Sequence, residues 1–104
     1  MRNNRFEFRG EVWLYPGMAG WHFISLPVEK SAEIKGRDIL LMRRGFGAVK
    51  VAITIGKTSW RTSIFPDKKT GQYILPLKSD VRKKEKIAAG DVIGVAVEII
   101  ETSA

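Results

Sequence analysis

Few side chains in this sequence could act as acid, base or nucleophile. His22 is the sole histidine and stands between Trp21 and Phe23, a strand-like setting in which an imidazole packs on a sheet rather than serving as a catalytic base or metal ligand. There is no cysteine. Thiolate catalysis, a disulfide framework and sulfur-ligated metals are therefore excluded, and without a histidine pair zinc lacks its usual donors. Glu7 and Glu11 share one parity with Arg9 between them, which could set two carboxylates on one strand face for general acid and base work. The same pattern describes a solvated outer face with charges paired across strands, and that is the expectation adopted. The residues point to no enzyme, no cofactor and no metal.

Anion chemistry is better supplied. The chain carries 18 Lys and Arg against 11 Asp and Glu, a net charge of +7, and its pI is near 10.0. Such an excess attracts polyanions through its field and through counterion release, and it also serves solubility. The basic residues cluster as Arg43-Arg44, Lys68-Lys69 and Arg82-Lys83-Lys84 with Lys86. Trp60 and Arg61 form an adjacent ring and cation that could meet a nucleic-acid strand, although an aromatic on a strand of a small barrel belongs more naturally in the core. Arg44-Gly45-Phe46-Gly47-Ala48-Val49-Lys50-Val51 begins like the RNP1 signature of RNA-recognition motifs, but Ala48 and Val51 stand where that motif stacks aromatics on bases. Gly45 and Gly47 fit a loop backbone at positive φ. They do not fit a phosphate cradle, because a strand follows rather than a helix.

The elements that must hold these residues are mostly strands. Phe6, Phe8, Val12 and Leu14 alternate with charged residues, the period of a half-buried strand. A turn at Pro16–Gly20 and an aromatic, β-branched run from Trp21 to Leu26 follow. Pro27 then opens a short helix over Val28–Ile34. Val49–Ile55 and Trp60–Phe65 are further strands, and Pro66–Gly71 is a second turn. Tyr73–Leu75 is a strand ending at Pro76, Ser79–Glu85 a second short helix, and Asp91–Ile100 a strand apolar enough to be buried on both faces.

The two halves repeat. Leu14-Tyr15-Pro16, Gly20-Trp21-His22-Phe23 and Leu26-Pro27 are echoed by Ile64-Phe65-Pro66, Gly71-Gln72-Tyr73 and Leu75-Pro76, with offsets of 50, 51 and 49 residues for Pro16, Gly20 and Pro27. A near-constant shift implies two copies of strand, turn, strand, Leu-Pro, helix, strand, about 6–55 and 56–101, related by a pseudo-two-fold axis.

Ile74-Leu75-Pro76-Leu77, Val81-Arg82-Lys83-Lys84 and Ile87-Ala88-Ala89-Gly90-Asp91 resemble the swapped-hairpin motif of AbrB-type and MazE-type transcription regulators. In that group two chains interlock into a double-split β-barrel that binds DNA, and basic residues at the positions of Arg82 and Lys83 contact the duplex. The first copy has Ala32-Glu33-Ile34-Lys35 at the corresponding place, so the symmetric surface of a palindrome reader is not reproduced. Over nearly the whole chain the sequence is similar to a small family of unknown function, found alone or joined to a YdeI/OmpD-associated type domain. Trp60–Pro66, Tyr73–Pro76, Val81–Lys83 and Gly90-Asp91 carry that likeness. It implies a double-split barrel built from one chain and transfers no catalytic or ligand residue.

The expectation is therefore a single mainly β domain over residues 1–104, a double-split, pseudo-two-fold β-barrel of six to seven strands with two short helices, made by internal duplication. Val49, Val51, Ile53, Val95 and Val97 would fill its interior. One chain supplying both halves implies a monomer. With no apolar leader and no span long enough for a bilayer, the chain is expected to be cytoplasmic. Its leading function is a non-enzymatic module whose basic face, Arg43, Arg44, Arg61, Arg82, Lys83, Lys84 and Lys86, meets the phosphates of nucleic acid. The alternative is a protein-interaction module serving a YdeI/OmpD-associated type domain, with its bases toward an acidic partner.

Overall fold

The computed structural model describes residues 5–17, 20–37 and 48–100, with the side chains of residues 35–37 left aside. Arg43, Arg44, Gly45 and Gly47 lie outside the described residues. Eight elements follow one another: β1 (Arg5–Leu14), β2 (His22–Ser25), α1 (Val28–Arg37), β3 (Val49–Ile55), β4 (Thr58–Pro66), β5 (Tyr73–Leu77), α2 (Ser79–Glu85) and β6 (Val92–Ile99). All strand pairs are antiparallel, and the barrel closes in the order β1-β2-β5-β4-β3-β6.

That order is unchanged when β1, β2 and β3 are exchanged with β4, β5 and β6. Each neighbouring pair maps onto another pair or onto itself, which is the adjacency that a duplicated strand-strand-helix-strand unit must generate. The barrel is split in the same way in both halves. β1 pairs with β6 along Arg5–Glu11 and with β2 only over Val12–Leu14, while β4 pairs with β3 along Thr58–Ile64 and with β5 only at Phe65 and Pro66.

Alternation decides what enters the barrel. Phe8 and Val12 of β1 point inward while Arg5, Glu7, Arg9 and Glu11 point out. Val49, Val51, Ile53, Val95 and Val97 are each at most 2% exposed, the filling expected of them. Ile34 of α1, Val81 of α2 and Ile87 after it join this core from the helices, and Trp60 packs against it. Gly10 stands at an inward position of β1 where a Cβ would lie 3.0 Å from Ile24 Cγ1, so the strand closes tightly over β2 only without a side chain there.

Several sequence-based expectations change. β6 is buried on one face, not two: its inward residues Val95, Val97 and Ile99 are covered, while Val92, Gly94 and Glu98 are exposed on the barrel's outside. Leu14 shares the core parity yet is 51% exposed, because β1 ends there at the barrel rim. α1 runs to Arg37, one turn beyond Ile34. Pro76 lies inside β5 and pairs with Phe23 instead of ending the strand. Leu26 N–H donates to Tyr73 O, so the odd-numbered residues of β5 turn their backbone groups to β2. The Pro76 nitrogen then faces the side where β4 has stopped pairing, and no ladder bond is lost.

Candidate nucleic-acid interface

Half of the 18 basic residues fall in one stretch of 30 residues. Between Lys57 and Lys86 nine basic residues stand against three acidic ones, Asp67, Asp80 and Glu85, so most of the +7 excess belongs to that segment. The structure places these bases at three locations.

α2 carries the first group. Val81 is its buried anchor, and Lys83 and Lys84 are exposed to solvent. Lys86 ends the helix at φ 55 in the left-handed region, and the N–H of Ile87 closes back on Arg82 O at 2.9 Å. Arg82 is different. Its guanidinium reaches Gly20 O through Nη2 and Leu77 O through Nε, both at 3.3 Å, so it tethers the β1–β2 turn to α2 and is only half-exposed. Glu85 fixes the other end of the helix to the β3–β4 hairpin: Thr58 Oγ1 donates to its Oε2 at 2.6 Å and Lys57 N–H at 3.3 Å. These contacts orient α2 so that Lys83 and Lys84 remain available.

The β4–β5 turn carries the second group, Lys68 and Lys69. Asp67 Oδ1 accepts the Lys69 N–H at 3.0 Å and Thr70 Oγ1 accepts the Gln72 N–H at 3.2 Å, which shapes the turn and leaves both ammonium groups exposed. Arg61 is the third location. It is exposed on β4 opposite Ala52, four residues from Phe65 along the strand. Trp60, on the other face of β4, belongs to the core side as expected. Its indole N–H is buried and has no partner among the described residues.

An aromatic surface lies next to these bases, and sequence reasoning did not single it out. Trp13 and Tyr15 on the outward parity of β1 meet Trp21 and Phe23 across the β1–β2 hairpin, with Trp13 and Phe23 as direct cross-strand partners. Ring centroids are 5.2 Å apart for Trp13–Phe23, 5.6 Å for Tyr15–Phe23 and 6.1 Å for Trp21–Phe23. Phe23 is outside the barrel core yet only 5% exposed, because its neighbours cover it, while Tyr15 is 41% and Trp21 53% exposed. Trp13 Nε1 donates to Ser25 Oγ at 3.0 Å, which fixes its ring over the sheet. Pro76, Ile74 and the exposed Phe65 continue the apolar face across β5 and β4 through the pairs Phe23–Pro76 and Ile74–Phe65.

Two grooves flank the rings. One, of about 470 Å³, runs between Tyr15 and the turn that carries Lys68 and Lys69. The other, of about 320 Å³, runs between Trp21 and the start of α2, with Lys78 and Arg82 on its wall. His22 Nδ1 lies 2.9 Å from Gly20 O, so the ring rests against the β1–β2 turn. The opposite side of the barrel has another character: Arg5, Glu7 and Arg9 alternate in sign over a floor of Gly94 and Ala96, and Arg5 and Glu7 pair at 3.7 Å along the strand. Among the described residues no three His, Asp or Glu side chains gather closely enough to hold a metal ion.

The family model described as Domain of unknown function (DUF1905) matches residues 8–97, which includes part or all of every element of the barrel. The chain belongs to this family. No curated protein matches the sequence. In this DUF1905 domain the matched segment includes the aromatic hairpin, the β4–β5 turn and the basic helix, so the ring-and-lysine surface falls within the family's own extent. Among the described residues of the domain no helix is long and apolar enough to cross a membrane.

Proposed function

We propose that this domain is a non-enzymatic module that binds nucleic acid, chiefly through phosphates met by Lys68, Lys69, Lys83 and Lys84. The observation that carries the reading is the crowding of exposed bases between Lys57 and Lys86, on a turn and a helix held in place by their own hydrogen bonds. The likeness of residues 74–91 to the AbrB-type hairpin supports it, with one change of emphasis. Arg82 is occupied with two carbonyls, so the lysines beside it become the principal anion contacts. Since α1 has Ala32 and Glu33 where α2 has paired bases, the module should bind as a single unsymmetrical unit and read little sequence.

Four phosphate contacts give a salt slope of roughly −3.6, so affinity for duplex DNA should fall about a hundred-fold between roughly 50 and 200 mM salt. Fluorescence anisotropy with a labelled duplex tests this. Replacing Lys83 and Lys84 by Ala, and separately Lys68 and Lys69, should weaken binding and flatten the slope by about two units for each pair. Absence of binding to any DNA or RNA at low salt would sink the reading.

The exposed aromatic face favours one second reading, a protein-interaction module for a partner domain of the YdeI/OmpD-associated type. Every described strand has two neighbours in the closed barrel, so the exposed ring face is the surface on which such a partner would seat. Recovery of such a partner from lysate after nuclease treatment would favour this reading over the first.

A further inference from the structure

We infer that the nucleic acid this module takes is single-stranded, with unpaired bases stacked on Tyr15 and Trp21 and the flanking phosphates held by Lys68 and Lys69 on one side and Lys78 on the other. The inference rests on the nucleic-acid reading and adds the class of ligand to it. Its basis is the juxtaposition of two surfaces. Phosphate contacts alone would require only cations, yet here the cations border a ring surface that stays uncovered.

Tyr15 and Trp21 are the exposed rings of the β1–β2 hairpin, and both lie against the buried Phe23, at 5.6 and 6.1 Å from it. Phe23 and Trp13 act as their support: Trp13 lies 6.2 Å from Tyr15 in a stacked arrangement and is itself tied to Ser25. The rings are thereby preorganised, which lowers the ordering cost of binding. Each exposed ring borders a groove whose far wall carries net positive charge, Lys68 and Lys69 with Asp67 beyond Tyr15, and Lys78 with Arg82 beyond Trp21. A backbone that enters along one lysine wall, lays bases over the rings and leaves along the other wall would meet charge, ring, ring and charge in order. Paired bases in a duplex have their faces occupied by neighbours and cannot use such rings, whereas unpaired bases of any identity can. Charge complementarity selects a polyanion over a neutral apolar partner, since the lysines bordering these grooves would be stranded at an apolar protein interface.

The probes are a fluorescein-labelled oligothymidylate strand and a mixed-sequence duplex of equal length, followed by anisotropy and by intrinsic tryptophan emission. The expected result is tighter binding of the single strand, with tryptophan emission quenched on saturation. Trp21→Ala should weaken the single strand by about ten-fold or more and leave the duplex unchanged, and Trp21→Phe should recover most of the loss. Trp21 is a surface residue, and a circular dichroism melt confirms that the variant folds. Equal binding of both probes with no effect of Trp21→Ala would overturn the inference while leaving the nucleic-acid reading standing. Failure of both probes at low salt would remove that reading and this inference together. Concentration-dependent dimerisation abolished by Trp21→Ala would assign the rings to a second copy of the chain and overturn the inference as well.

Discussion

Where β2 and β5 meet the first helix, side chains take the place of one of the two backbone bonds of a rung. Leu26 N–H donates to Tyr73 O at 2.8 Å, and the reciprocal bond of such an antiparallel pair would run from Tyr73 N–H to Leu26 O. Instead Tyr73 N–H donates to Ser31 Oγ at 2.9 Å, and Leu26 O accepts from Gln72 Nε2 at 2.8 Å. Ser31 is 0% exposed, so Ser31→Ala removes a buried acceptor that water cannot easily replace. The loss is about 1–3 kcal/mol, against roughly 0.5 kcal/mol gained from the better helix propensity of Ala, leaving about 1–2 kcal/mol of destabilisation. For a domain of this length the melting temperature should fall by about 5–15 °C. Gln72→Ala should cost less, because its amide is only part-buried. When both side chains are removed the direct rung can form, so the double variant should lose less stability than the sum of the two single changes. Urea denaturation of all four proteins measures that coupling directly. Strict additivity, or a Ser31→Ala protein as stable as the parent, would refute the account.

Two further outcomes are expected. Gly56 has φ +58, and a Cβ there would collide with the Glu85 carboxylate, so Gly56→Ala should destabilise by about 2–3 kcal/mol through backbone strain and loss of the Thr58 bond. The same substitution in a Glu85→Ala background should cost distinctly less, as read from denaturation midpoints. Because both halves of the barrel come from one chain, light scattering should return the monomer mass at all dilute concentrations, and an obligate dimer would contradict the duplication argument.

Much of the barrel could be read from the chain because its inner face obeys a two-residue period. Val49 to Ile55 and Ser79 to Glu85 have the bounds expected from the sequence. Periodicity misled where burial depends on a partner distant in sequence. A run such as Val92–Ile99 looks doubly buried, yet its outer side chains include Gly94 and Ala96, small residues that lie open on the barrel wall. Pro76 reads as a strand terminator because local rules do not reveal that its nitrogen faces an unpaired flank. The bases on α2 could be read from composition, but the fold assigns Arg82 to a tether across 62 residues, which no local pattern contains.

The aromatic surface did leave a trace in the sequence. From Val12 to Tyr15 and from Trp21 to Leu26 both parities are apolar, which a half-buried strand does not require. One parity, with Val12, Ile24 and Leu26, fills the barrel, and the other, with Trp13, Tyr15 and Phe23, covers its outside. The two copies thus keep a common interior and differ on the surface: the first hairpin carries the rings and the second turn carries Lys68 and Lys69. A symmetric dimer of identical halves would have to place rings and lysines at both positions. Within one chain the two copies are free to differ, and the composite ring-and-cation site inferred for a single strand uses that difference.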